Sequence, residues 1–504
     1  TASSHTVTIE AKDKDDKVEV TLKDVNIDAS SRSEAAVSVT GKGDTTIELD
    51  GDNELKSGAG HAGLEHNKTD TSGELTIQDK DNNGSLEAAG GFKGAGIGSA
   101  GSNDAQVKIT GGNITATSDD WGAGIGSGSY GTGTVEITGG EINATGGYLG
   151  AGIGGGCNGS GNVTISGGTI TAAGSDGTAG IGGGYYNGAT VTITGDAVIK
   201  NASSTKYGAG IGGGNGSDGN VTISGNAKIE NATGGYGAAG IGGGAFSSPD
   251  KIGNGNVVIK DNAKIDNVQG GAYGAGIGGG IYGLSNVTIE GNTKVNATGG
   301  AGGAAIGGGA GAENNSDNNG NQITIKSNEN GSPTINAVGG GTDEGEKIVI
   351  GGAGIGAGCE SNADADITLE GKVTITATAG KDNVAIGANG IEQEFSGLAE
   401  GSSITRYDPE GNDITLPTDP VPAVPSSSGG GSADASVQES VFPGLVVTDK
   451  DGQRISYTSI RGNNVLSLRV GRFTASLRAS LATLRQLRAE GIDTITFQTI
   501  LCST

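Results

Sequence analysis

Short runs of alternating apolar and polar residues recur along most of the chain. Residues 162–172 show the unit: Asn-Val-Thr-Ile, then Ser-Gly-Gly, then Thr-Ile-Thr-Ala. Val163 and Ile165 fall on one face, Thr164 and Ser166 on the other, which is the period-two signature of a strand. The same order returns at 134–144, 190–202, 220–232 and 286–297. Between these pairs lies a third piece, Gly-Ala-Gly-Ile-Gly-Gly-Gly and its variants. Its central Ile is Ile97, Ile125, Ile153, Ile181, Ile211, Ile241, Ile277, Ile306, Ile355 and Ile386. The intervals are 28, 28, 28, 30, 30, 36, 29, 49 and 31 residues. Leu64 and Val37 read as earlier, degenerate copies. Alternation also places Ala151 with Ile153 on one side and Gly150, Gly152 and Gly154 on the other.

One coil cannot bury its apolar face, whereas stacked coils can. The pattern therefore predicts an all-β, right-handed parallel β-helix with three short strands per coil. About twelve coils at ~4.8 Å each would make a rod of roughly 55–60 Å. Residues 1–416 are assigned to it, with degenerate first coils and a C-terminal cap. The rest of each coil serves as the crossover that parallel pairing needs.

If the glycines face outward, they form a flat strip without side chains, at a cost of about 0.5–1 kcal/mol each against Ala. The aromatics flank it in the sequence. Phe92, Trp121, Tyr148, Tyr207, Tyr236 and Tyr273 stand four or five residues before the Ile; Tyr130, Tyr185, Tyr186, Phe246 and Tyr282 stand four or five after it. Eight of the ten Tyr and the single Trp lie in these two turns. The expectation is two aromatic ladders bordering a glycine strip, with a vertical repeat of about 4.8 Å, close to one sugar unit of an extended glycan. Rings stacking on sugars is one reading; rings stapling the turns by packing on each other is another; a self-association face is a third.

Other chemistry is sparse. Asp79, Asp81 and Asn83 open like a calcium loop, but the place of the closing Glu is Gly90; an ordinary solvated turn reads equally from the segment. His5, His61 and His66 form no tight zinc cluster and stand near no nucleophile setting. Asp119 and Asp120 beside Trp121 are the carboxylates that an enzyme acting on sugars would use. Outward pairs such as Thr115 with Thr117 and Thr192 with Thr194 resemble ice-binding arrays, interrupted by charges such as Lys260 and Glu290. The Asn-Val-Thr sequons at Asn162 and Asn220 read as strand chemistry. The repeated Gly-x-Gly-x-x-Gly, as at Gly150, Gly152 and Gly155, precedes no amphipathic helix, which excludes a dinucleotide fingerprint.

The net charge of −25 disfavours nucleic acid as a partner. No apolar run is long enough to span a membrane. With no Met in the chain, a removed signal peptide fits the expectation of a secreted or cell-surface location. Three Cys make no disulfide framework. Cys157 and Cys359 sit six rungs apart, roughly 29 Å at the strand spacing, too far to pair.

Charge also divides the chain. Residues 441–504 hold eight Lys/Arg against four Asp/Glu. Residues 417–440, rich in Pro, Ser and Gly, read as a linker. The final 441–504 reads as a small α+β module. Its strands are expected at Pro443–Asp449, Arg454–Ser459, Val465–Val470 and Ile492–Gln498, with Asp451-Gly452 as a hairpin turn. Thr474 would cap a helix to Glu490, carrying Leu477, Leu481, Leu484 and Leu487 as its apolar stripe.

The repeat Val-Thr-Ile-Ser-Gly-Gly-Thr-Ile-Thr-Ala…Ala-Gly-Ile-Gly-Gly-Gly resembles glycine-rich β-helix surface proteins of gut Firmicutes, of carbohydrate-binding-domain or adhesin-like type, over about residues 20–395. It is more distantly similar to clostridial pectin-binding β-helices, which use calcium; their acidic calcium positions have no clear match. The resemblance implies a bacterial, extracellular setting; the regular repeat and its aromatics add the expectation of a non-enzymatic protein that binds a polysaccharide or host-surface glycan. A polysaccharide lyase or glycoside hydrolase, and a structural spacer or self-assembling unit, are the alternatives.

Overall fold

The computed structural model describes residues 2–246, 251–314, 320–343 and 350–420. In the C-terminal region it describes 445–448, 458–461, 465–470, 476–479, 484–485, 487–488, 492 and 494–499. Compact units divide at Val424 and Pro425.

The first unit is a parallel β-solenoid of about 13 turns, wound with the right hand that parallel crossovers adopt. Each turn contributes to three stacks. The glycine sheet is built from Ile-Gly pairs such as Ile125–Gly126, Ile153–Gly154 and Ile181–Gly182. The valine sheet stacks Gly133–Ile137, Gly161–Ile165 and Ala189–Ile193. The threonine sheet stacks Asn113–Ser118, Glu141–Thr145 and Thr169–Asp176.

Register is exact where the repeat is 28 residues. Val135 pairs with Val163, Ile142 with Ile170, and Ile125 with Ile153. Like therefore stacks on like, and the inward Val, Ile, Leu and Ala form one continuous core from Ile9 to Ile404. Leu64 and Val37 do occupy earlier rungs of the glycine sheet. A further rung, Val7–Ala11, precedes them without the Ile-Gly motif and pairs with Val37–Gly41.

A cap closes the far end. Ile391–Glu392 turns back antiparallel on Ile386–Ala388. Glu392 accepts hydrogen bonds from the amides of Ala385 and Ile386. The buried Arg406 donates to both oxygens of buried Asp419, at 2.7 and 2.9 Å, and to Glu392 and the Gln393 carbonyl. Asp419 lies in the segment that reads as the start of the linker, yet it anchors this cap.

In the second unit, Thr458–Arg461 pairs antiparallel with Val465–Val470, which pairs parallel with Thr494–Thr499. Leu466, Leu468, Leu487 and Ile492 make its small core. The expected helix from Thr474 is shorter at its start. Ser476–Ala479 is a strand paired antiparallel with Leu445–Thr448, and residues 484–485 and 487–488 are helical. Pairing with a neighbouring strand overrides local helix preference here. Leu487 is buried, Leu477 half-buried and Leu484 exposed. Pro443, Asp451, Gly452, Arg454, Thr474, Leu481, Glu490 and the residues 421–444 lie outside the described residues.

Candidate functional site

The glycine segment is not an open strip. Every residue from Gly150 to Cys157 is buried. The Ala151 amide donates to the Gly155 carbonyl at 2.9 Å, so the chain doubles back around the Ile153–Gly154 apex. Gly154 takes φ +129°, which L side chains rarely adopt. A Cβ there would lie 2.1 Å from the Gly182 carbonyl oxygen of the next rung; one on Gly150 would lie 1.8 Å from Gly122 O. These glycines are there for close backbone stacking. The expected flat, side-chain-free binding face is thus corrected. Period two assumes a straight strand, and this segment is a bend.

The bend throws out two lobes per turn, one before the Ile and one after it. They join across rungs. The residue four after one Ile donates its amide to the carbonyl of the residue four before the preceding Ile: Cys157 to Trp121 at 2.7 Å, Asn215 to Gly177 at 2.8 Å, Ala245 to Tyr207 at 2.7 Å and Ala310 to Tyr273 at 2.8 Å. The two lobes therefore meet in one seam, and the aromatic ladders are neighbours on it.

All ten predicted aromatics, with Phe92, sit in these lobes. Before the Ile, Tyr207, Tyr236 and Tyr273 stack edge-on over three rungs, with centroids 6.0 and 5.7 Å apart; Phe92 and Trp121 stand 5.1 Å apart. After it, Tyr185 and Tyr186 touch at 4.0 Å, and Tyr186 lies 5.7 Å from Phe246. Lys93 lies over Phe92 and Trp121, and Lys251 over Tyr186 and Phe246. The Tyr185 hydroxyl donates to that of Tyr186 at 3.1 Å, and this bond with partial burial pushes its pKa up. Tyr282 lies against Gly311, whose added Cβ would sit 2.8 Å from the ring. Tyr130 and Tyr148 project furthest, 58% and 56% exposed.

Sequence reasoning missed the backbone at these positions. Tyr130, Tyr186 and Tyr282, five residues after the Ile, and Tyr207 and Tyr273, four before it, have φ between 56° and 72°. Gly216, Gly311, Gly177, Gly237 and Gly302 hold the equivalent places in other rungs, also at positive φ. The signal was present: two columns in which Gly and Tyr interchange, shared with Lys93, Ser102, Asn158, Glu360 and Asp382, all at positive φ.

The remaining candidates stand apart. Asp79 is buried, and its carboxylate accepts from the amides of Asn83 and Gly84, tying the turn, while Asp81 and Asn83 are exposed. His61 pairs with Glu65 at 2.8 Å; His66 is buried, and desolvation lowers its pKa. No group of three or more metal-ligating side chains occurs among the described residues. Asp120, beside Trp121, has its pKa raised by burial and by Asp119. No described helix is long and apolar enough to cross a membrane.

The Beta helix repeat family matches residues 107–129, 135–157, 163–185 and 221–245. Each match runs from a valine strand through the bend to its following lobe. Over these segments the chain is similar to that repeat family, and its solenoid is a β-helix. Neither a curated protein nor a solved structure matches it.

Proposed function

We propose that this β-helix protein is a non-enzymatic extracellular surface solenoid that binds polysaccharide or a host-surface glycan through the aromatic seam. The observation that carries the reading is the five tyrosines held at left-handed backbone positions. A non-glycine residue there costs on the order of 1 kcal/mol or more. Glycine fills the same places in other rungs at no such cost, and of the ten non-glycine residues that hold them at positive φ five are Tyr, so rings are favoured there for what they do at the surface. Rings with exposed faces in a column can stack on successive sugars. The resemblance of the repeat to adhesin-like surface proteins supports the setting.

Affinity electrophoresis against neutral and acidic polysaccharides, with and without calcium, tests it. Retardation should occur for at least one glycan, be lost in Trp121→Ala/Tyr148→Ala, and release no new reducing ends. Tyr130→Gly should weaken retardation while leaving the fold as stable or more so. Reducing ends would make the protein an enzyme, with Asp119 and Asp120 the first suspects. A retardation that needs calcium would bring Asp79, Asp81 and Asn83 back as ligands. The ring-on-ring stack of Tyr207, Tyr236 and Tyr273 favours a second reading, a structural spacer. It predicts no retardation and a Tyr236→Ala variant that loses stability.

A further inference from the structure

The outward face of the threonine sheet runs directly into the lobes before the Ile. Its two columns nearest the lobes hold Thr115 and Thr117, then Asn143 and Thr145, then Thr171 and Ala173 on successive paired rungs. They continue through Asn296 and Thr298, Asn336 and Val338, and Thr376 and Thr378. The paired positions of these columns hold no charged residue from Thr115 to Thr378, although bulges in three middle rungs place Lys200, Glu230 and Asp266 beside them. This is notable in a chain with 56 acidic and 31 basic residues. One rung below Thr115 stands Glu87, with Ala89 below Thr117, and a rung before that stand Glu54 and Lys56. In the third column, furthest from the lobes, Lys228 and Lys264 are already paired with Glu230 and Asp266. The uncharged stretch thus covers the rungs that carry most of the rings.

Resting on the glycan-binding reading, we infer that this face and the seam together take a neutral polysaccharide, its chain running along the solenoid axis. The seam supplies ring faces. The sheet supplies exposed amides and hydroxyls, repeated every ~4.8 Å, which can exchange hydrogen bonds with sugar hydroxyls without desolvating a charge. An acidic polysaccharide meets the field of a strongly acidic chain, and the face that carries the exposed Lys200 and Lys294 also carries Glu141, Glu230 and Asp266. The asparagines are partly pre-set. Asn267 donates its amide to Asn231 at 3.1 Å, and Asn296 to the Asp266 carbonyl at 3.1 Å, which lowers the entropy lost on binding.

The test uses the whole chain in affinity electrophoresis against neutral β-glucan, xylan and mannan, and against acidic homogalacturonan and alginate. The variants are Asn143→Glu/Thr171→Glu on the face and, separately, Asn296→Glu four rungs or more away. Both place a carboxylate on an outward position, and unchanged thermal melting checks the fold. The expected result is retardation by a neutral polysaccharide only, reduced at least tenfold by the double variant and measurably by Asn296→Glu. Retardation by acidic polysaccharides alone overturns the inference and leaves the aromatic seam as the site. So does neutral binding that both face variants retain within twofold while Trp121→Ala/Tyr148→Ala loses it. No retardation by any of the five overturns the glycan reading itself.

Discussion

Replacing Gly154 by Ala separates the two explanations of the glycine segment. If glycines kept a binding surface flat, Ala would fold normally and only impair binding. The structure gives a different expectation. At φ +129° an L residue is strained, worth on the order of 1–2 kcal/mol. The added Cβ would also lie 2.1 Å from Gly182 O and 3.0 Å from its carbon. Both atoms are backbone of the next rung, hydrogen-bonded on both sides, so the rungs must separate locally. Forced overpacking costs typically about 1–3 kcal/mol, for a total of roughly 2–5 kcal/mol. The control is Gly411→Ala, at φ +84° with open space around its Cβ; it carries the strain alone. Urea unfolding of both variants, followed by circular dichroism, yields the difference. Should Gly154→Ala lose no more stability than Gly411→Ala, the close-stacking account is wrong.

Four further outcomes follow from packing and protonation. Ile153→Ala empties a fully buried site in the core and should cost about 2–5 kcal/mol in the same unfolding assay. Arg406→Met strands the buried Asp419 carboxylate and should destabilise by about 3–5 kcal/mol, read as earlier loss of amide protection in the last rungs by hydrogen exchange. His66 has a folded pKa below its ordinary value of 6.5, through burial. The unfolded chain binds that proton more readily, so stability is present above about pH 6.5 and erodes as pH falls below it; thermal melting from pH 7.5 to 5 should fall less in His66→Gln than in the parent. Burial pushes the Cys157 thiol up and that of Cys359 to about 11, so a thiol reagent at pH 8 should leave both unmodified until the protein is denatured.

Much of the fold is legible because one period serves each strand. Val163 and Ile165 point inward in the structure as alternation requires, and the 28-residue spacing sets register without further information. Val7–Ala11 escaped because its rung lacks Ile-Gly and keeps only a short alternation. The misreading of Gly150, Gly152 and Gly154 has a different origin. Alternation is a property of extended backbone, and a bend closed by Ala151 and Gly155 cannot be told from a strand when most residues have no side chain. Aromatic columns could be read from sequence; that their lobes meet could not, since the seam rests on hydrogen bonds between turns about 36 residues apart, as Cys157 to Trp121. At Ser476–Ala479 a pairing partner decided against the helix.

The seam and the repeated register also make the solenoid modular. Each rung repeats the same donors and acceptors toward the rung before it and the rung after it, so a rung does not distinguish which neighbour it meets. The longer intervals, 36 residues after Ile241 and 49 after Ile306, leave the Ile-Gly stacking of Ile241 on Ile277 and Ile306 on Ile355 intact. Length can therefore change by whole coils, through duplication or loss of a unit such as residues 154–181. Each such event lengthens or shortens the protein by one strand spacing, ~4.8 Å, and preserves the surface of every other coil. Evolution thus holds a ruler with a fixed graduation, by which reach can be set independently of surface chemistry.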